Sequence, residues 1–158
     1  MKRIPFFPQE NDYYCGPAII QMVLGAHGKK ITQRQAARRA KTNRHIGTAP
    51  AMLVKTLENE GFEVHAKQNN TLARIQKAIE RGTIVIVLFI EPVAEWDHYA
   101  IVREIKGDKV ILLDPDARKD GRTTMLAKEF LRRWKDRDVA QTKRWAAFVD
   151  TPKKITKR

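Results

Sequence analysis

Cys15 is the only cysteine among 158 residues, and it stands directly before Gly16-Pro17-Ala18 at the head of an apolar stretch. Proline suits the first turn of a helix, so Cys15 falls at a helix N-terminus. Unpaired N–H groups and the positive end of the helix dipole there favour a thiolate, the form of cysteine that acts as a nucleophile. A buried, inert cysteine is the alternative, because cysteine is among the most buried residue types. A nucleophilic thiol needs a base. The four histidines are His27 near a helix end, His45 in a basic loop, His65 in a strand and His98 at a strand start. His98 is favoured because a carboxylate comes within its reach. If Lys106, Gly107 and Asp108 form a three-residue hairpin loop, Ile105 pairs with Lys109 and position 98 faces 116, which leaves His98 diagonal to Asp114 on one sheet face. A two-residue loop puts the two on opposite faces, so the pair turns on a register. Singly, such a histidine is more often structural and an aspartate before proline more often a turn residue. Their combination with Cys15 points to acyl chemistry, with Cys15 as nucleophile, His98 as base and Asp114 orienting the histidine.

The elements that must hold these residues are legible in part. The segment from Cys15 to Gly28 reads as a mostly buried helix that Gly28 stops. Thr32 and Gln35 form a capping-box pattern before a short basic helix. Gly47-Thr48 precede a third helix, whose Met52, Leu53 and Leu57 share a face until Gly61. Phe62 to Lys67 alternates like a strand, Asn70 or Thr71 caps an amphipathic helix carrying Leu72, Ile75 and Ile79, and Gly82 ends it. Ile84 to Ile90 is a β-branched run of strand length, and His98–Ile105 with Lys109–Asp114 form a hairpin. Asp120-Gly121 marks a turn, Leu126 to Trp134 a short helix and Arg144 to Asp150 a last strand. Helices packed on an antiparallel sheet make an α+β fold, expected as one domain over residues 1–150 with a basic tail at 151–158.

Composition narrows the class further. A lone cysteine excludes an internal disulfide and the cysteine-rich zinc patterns, so no metal or cofactor is called for and a reducing, cytoplasmic setting is expected. The N-terminus breaks at Pro5 and Pro8 before a signal-peptide core can form, and the longest apolar run, Ile84 to Ile90, is too short to span a bilayer. The net charge is +13, concentrated in Lys29–Arg44 and from Arg132 onward. Such charge draws a protein to polyanions without specifying a site, so a non-specific polyanion contact stands beside a merely solvated surface.

In order along the chain stand Gln9, the block Cys15-Gly16-Pro17-Ala18, Met22-Val23-Leu24, Gly47-Thr48, His98-Tyr99-Ala100-Ile101-Val102 and Asp114-Pro115. Together these resemble the papain-like cysteine peptidases of the bacteriocin-processing, double-glycine leader type, over about residues 4 to 150. The resemblance implies a papain-like fold, a peptide or protein substrate, and Gln9 as a side-chain oxyanion donor beside the Cys15 backbone N–H. It also implies an exporter or a precursor as partner. Tyr14 stands where such peptidases often carry an acidic residue before the cysteine. With neither a membrane span nor a Gly-rich phosphate loop, the chain resembles a stand-alone member. Passage of the acyl group to an acceptor other than water is a second reading. A third is an inactive peptidase fold that uses its basic surface to bind nucleic acid or an acidic partner. Glu91, Glu95 and Asp97, crowded before His98, lead to an expectation of basic residues near the cut.

Overall fold

We describe the protein from a computed structural model over residues 3–137 and 142–151; the basic tail beyond Thr151 lies outside the described residues. The first helix, α1 (Cys15–Ala26), carries no charged side chain, and eight of its residues from Gly16 to Leu24 are buried. A helix apolar all round belongs inside a protein. It is covered by α2 (Gln33–Arg39) and α3 (Pro50–Asn59), and the N-terminal strand-like segment lays Pro5 and Phe7 against Gly25. The capping box of α2 forms as its sequence predicts, Thr32 Oγ1 accepting from the Gln35 N–H and the Gln35 side chain from the Thr32 N–H.

The sheet is antiparallel throughout, with strands in the order β1-β6-β2-β3-β4-β5. These are β1 (Glu63–Lys67), β2 (Ile84–Ile90), β3 (Asp97–Lys106), β4 (Lys109–Leu113), β5 (Arg122–Leu126) and β6 (Ala146–Asp150), with α4 (Leu72–Glu80) and α5 (Ala127–Arg133) between them in sequence. Every residue of β2 is buried because the sheet is covered on both faces. Ile84, Ile86 and Leu88 point into the core beneath α1–α3, and Val85, Val87 and Phe89 into the core beneath α4 and α5. The α+β expectation therefore holds, with helices on both sides of the sheet.

One alternative is resolved and two local readings are corrected. Thr71, whose hydroxyl accepts from the Arg74 N–H, caps α4; Asn70 is instead fully buried, its amide donating to the Lys67 and Arg144 carbonyls. Strand β5 was not expected. Its alternation, with Thr123 and Met125 buried, lasts five residues and merges with the helix that follows. The β3–β4 hairpin closes on the two residues Gly107-Asp108, with Lys106 opposite Lys109 rather than Ile105. By itself that loop would turn His98 and Asp114 to opposite faces. A bulge at Arg103 shifts the register by one, so Ile101 pairs with Leu113 and the face-sharing of His98 and Asp114 is restored.

Candidate active site

Cys15 is the first residue of α1 and is half-buried, so its backbone N–H has no partner inside the helix. The turn before it is fixed from below. Gly16 lies so close to Thr48 that an added Cβ would sit 2.3 Å from Thr48 Oγ1 and 2.6 Å from its Cβ, which explains a glycine at the second residue of a helix. Thr48 is itself held by Thr42, the two hydroxyl oxygens 2.6 Å apart, and by Tyr99, whose hydroxyl donates to the Thr48 carbonyl at 2.7 Å. The Gly47-Thr48 loop and β3 thereby set the height of Cys15 above the sheet.

His98 stands at the head of β3 opposite Phe89, whose ring meets the imidazole edge-to-face at 5.8 Å. Its Nε2 is 2.6 Å from Asp114 Oδ1, with both side chains buried. Asp114 Oδ1 also accepts from the Asp116 N–H at 2.9 Å, and Oδ2 from the Thr123 hydroxyl at 2.7 Å. Burial disfavours the imidazolium. The hydrogen bonds with Asp114 and Cys15 and the charges on both outweigh it, and His98 is pushed up to about 10. Burial likewise works against the Asp114 carboxylate, but the imidazole, Thr123 and the Asp116 N–H hold it below the usual range. With Nε2 engaged by Asp114, Nδ1 is the ring nitrogen left for the thiol. A sulfur, an imidazole and a carboxylate in that order can move a proton off the sulfur and hold it.

Gln9 is brought to the same end of the molecule by the N-terminal segment. Its backbone N–H donates to the Pro115 carbonyl at 2.8 Å, one residue past Asp114, and the Gln33 amide ties down the neighbouring Pro8 carbonyl at 2.8 Å. Gln9 Nε2 donates one N–H to the Asn11 carbonyl at 2.7 Å, which leaves the other. Two cavities meet at Asp12, Trp96 and Asp97: one of about 480 Å³ containing Cys15, the other of about 490 Å³ containing Gln9 and His98. Beside Cys15 a further pocket of about 40 Å³, bounded by Gly47, Leu88 and Tyr99, has room for little more than a water molecule.

The remaining histidines fall elsewhere: His27 Nδ1 lies 2.9 Å from the Val23 carbonyl, His65 contacts Glu63, and His45 lies on the rim of the Cys15 cavity. The carboxylates expected to present negative charge are engaged. Glu91 accepts from the Val93 and Ala94 N–H groups, Glu95 pairs with Arg133 at 3.0 Å, and Asp97 accepts from the Arg137 N–H at 2.8 Å. The Cys15 cavity holds Arg44 and Arg137 beside Asp12, Glu95 and Asp97, so cations share the wall with the acidic run. Thr123 was missed because its strand was missed. Among the described residues no cluster of His, Cys, Asp or Glu side chains is placed to hold a metal, and no helix is long and apolar enough to cross a membrane.

The model of the peptidase C39 family matches residues 3–143. The lactococcin-G-processing and transport ATP-binding protein of Lactococcus lactis subsp. lactis is 29% identical over 134 residues, 85% of this chain and 18% of that protein. The mesentericin-Y105 transport/processing ATP-binding protein of Leuconostoc mesenteroides is 26% identical over 133 residues, again 18% of its length. The chain thus spans about a fifth of the curated relatives it matches. The peptidase domain of Streptococcus ComA, a bi-functional ABC transporter involved in quorum sensing, superposes with a TM-score of 0.74 at 22% identity, covering 93% of this chain and 98% of that one. A double glycine motif protease from an AMS/PCAT transporter, solved in complex with its leader peptide, gives 0.71 at 19% identity over 95% and 94%.

Proposed function

Because the chain belongs to the peptidase C39 family and is a cysteine peptidase, we propose that Cys15 is its nucleophile, His98 its base and acid, Asp114 the residue that orients His98, and Gln9 a donor to the oxyanion. The observation that carries this reading is the buried His98–Asp114 pair at 2.6 Å, with Cys15 near enough to help raise the imidazole. His98 Nδ1 holds the proton taken from the thiol before the attack, and the resulting thiolate adds to the scissile carbonyl carbon. The oxyanion is met by the Cys15 N–H and the free N–H of Gln9. His98 then protonates the departing amine, and in the second half draws a proton from water as it attacks the thioester.

The substrate we propose is a precursor peptide cut behind a pair of very small residues. The pocket of about 40 Å³ beside Cys15 supports this, since it leaves no room for an ordinary side chain. Two relatives support it as well, one named for processing lactococcin-G and one solved as a double glycine protease with its leader peptide. A precursor and an exporter are accordingly the partners we propose. The test is turnover of a peptide library varied at the two residues before the cut, with Cys15→Ala as the blank. Cleavage confined to Gly-Gly, Gly-Ala and their like supports the reading. Equal cleavage behind leucine or phenylalanine sinks the substrate assignment, and cleavage by Cys15→Ala sinks the nucleophile.

A further inference from the structure

On the sheet face covered by α4 and α5, the outer strands are left partly open. Helix α4 packs mainly on β2 and β3, and a cavity of about 670 Å³ lies between α4 and the edge strand β1. Its walls are His65 and Lys67 of β1, Arg74 and Lys77 of α4 and the C-cap residue Arg81, and at its base is Phe148 of β6, the cross-strand partner of His65. Arg74, Lys77 and Arg81 fall at i, i+3 and i+7, one face of a helix over about 10 Å of its axis. His65 and Lys67, two apart, share one face of the strand. Lys67 on the strand therefore faces Arg74, Lys77 and Arg81 across the groove.

Four cations stand in the wall against one carboxylate. Among the described residues none of Lys67, Arg74, Lys77 or Arg81 is in an ion pair. The one carboxylate lining the cavity, Asp150, accepts a hydrogen bond from Thr83 at 2.5 Å. Gathered cations repel one another unless an anion lies between them. We infer that this groove is a docking site for an acidic segment of a partner protein, separate from the catalytic centre. The groove reaches Thr83 at the start of β2, whereas His98 pairs with Phe89 near its end, about 20 Å along the strand. A peptide fits better than nucleic acid. Among the described residues β1 pairs only with β6, which leaves its outer backbone groups for an extended peptide to add to. A single nucleic-acid strand gains from stacking its bases on exposed rings as well as from charge, and Phe148 is only 9% exposed.

The test titrates a fluorescein-labelled oligoglutamate peptide into the intact chain at low salt, with labelled oligothymidylate as the comparison probe. The groove variant carries R74Q, K77Q and R81Q; the control variant loses the same charge from the far side through K30Q, R34Q and R38Q. All six side chains are exposed, and melting temperatures confirm that both variants fold. The proposal expects oligoglutamate binding to weaken about tenfold in the groove variant and hardly at all in the control. It also expects saturating peptide to leave Cys15 alkylation unchanged. Equal weakening in both variants overturns it in favour of net charge alone, and tighter groove-dependent binding of oligothymidylate overturns it in favour of nucleic acid. Slowed alkylation overturns it by making the groove part of the substrate path.

Discussion

At the residue scale, the His98–Asp114 pair makes the sharpest demands. An imidazole pushed up to about 10 holds its proton through the neutral range. A raised histidine contributes stability that is complete below its unfolded value of about 6.5 and is lost as pH climbs through its folded value. A lowered aspartate contributes stability above about 3.9 that is lost as pH falls through its folded value. The pair is therefore worth most between about pH 4 and 6.5, and the urea midpoint advantage of the wild type over Asp114→Asn should peak there and shrink towards pH 10. An advantage flat from acid to alkaline pH would show that the imidazolium is not held. In catalysis, His98→Ala should lower kcat by about 10²- to 10⁴-fold and slow iodoacetamide alkylation of Cys15 at neutral pH. Gln9→Ala should lower kcat by about 10²- to 10³-fold with little change in KM, since the donor meets a charge absent from the ground state. Gln9→Glu keeps the shape and removes the donor, so it should be no better than alanine. An active Gln9→Glu enzyme would place the oxyanion elsewhere.

Elements deliver these side chains through two unobtrusive features. The extra residue at Arg103 turns His98 to the face of Asp114 despite a two-residue hairpin loop. Deleting Arg103 leaves Val102 opposite Leu112 and Glu104 opposite Ile111 in an unbroken ladder that still holds His98 and Asp114 on one face. Cys15 alkylation should therefore stay near the wild-type rate; a fall to the rate of His98→Ala would show that the kink of the bulge itself aims the imidazole. The second is the contact of α1 with the Gly47-Thr48 loop. Alanine is a better helix former than glycine by about 1 kcal/mol, yet Gly16→Ala must displace Thr48, which Thr42 and Tyr99 hold in place. Overpacking of that kind costs about 1–3 kcal/mol, so the variant should be net destabilised in urea. A more stable Gly16→Ala would show that the loop yields freely.

Over the whole molecule, a net charge of +13 makes retention on anionic matrices at low salt an expected property. That retention should fall with rising salt and should drop when Lys30, Arg34 and Arg38 become glutamine, while peptide turnover stays unchanged. Arg44 does not belong with that set, because it lines the Cys15 cavity. On the surface, Ile46 and Trp96 stand 47% and 57% exposed, both on the rim of that cavity.

The sequence by itself determined those features that are written locally. The apolar, uncharged stretch after Cys15 could only be a buried helix, Thr32 and Gln35 closed their own capping box, and Ile84 to Ile90 was long enough only for a covered strand. Each follows from side chains within a turn or two of one another. What the tertiary structure decided are contacts between residues far apart in the chain. Arg103 is an ordinary residue and carries no mark of a bulge, so the facing of His98 and Asp114 had to come from how β3 pairs on both its sides. Thr123, bonded to Asp114, lay in a strand whose alternation was too brief to show beside the helix after it. The acidic run before His98 looked free to act on substrate. Glu95 instead pairs with Arg133 of α5 and Asp97 accepts from the Arg137 N–H, donors far along the chain that only the fold brings within reach.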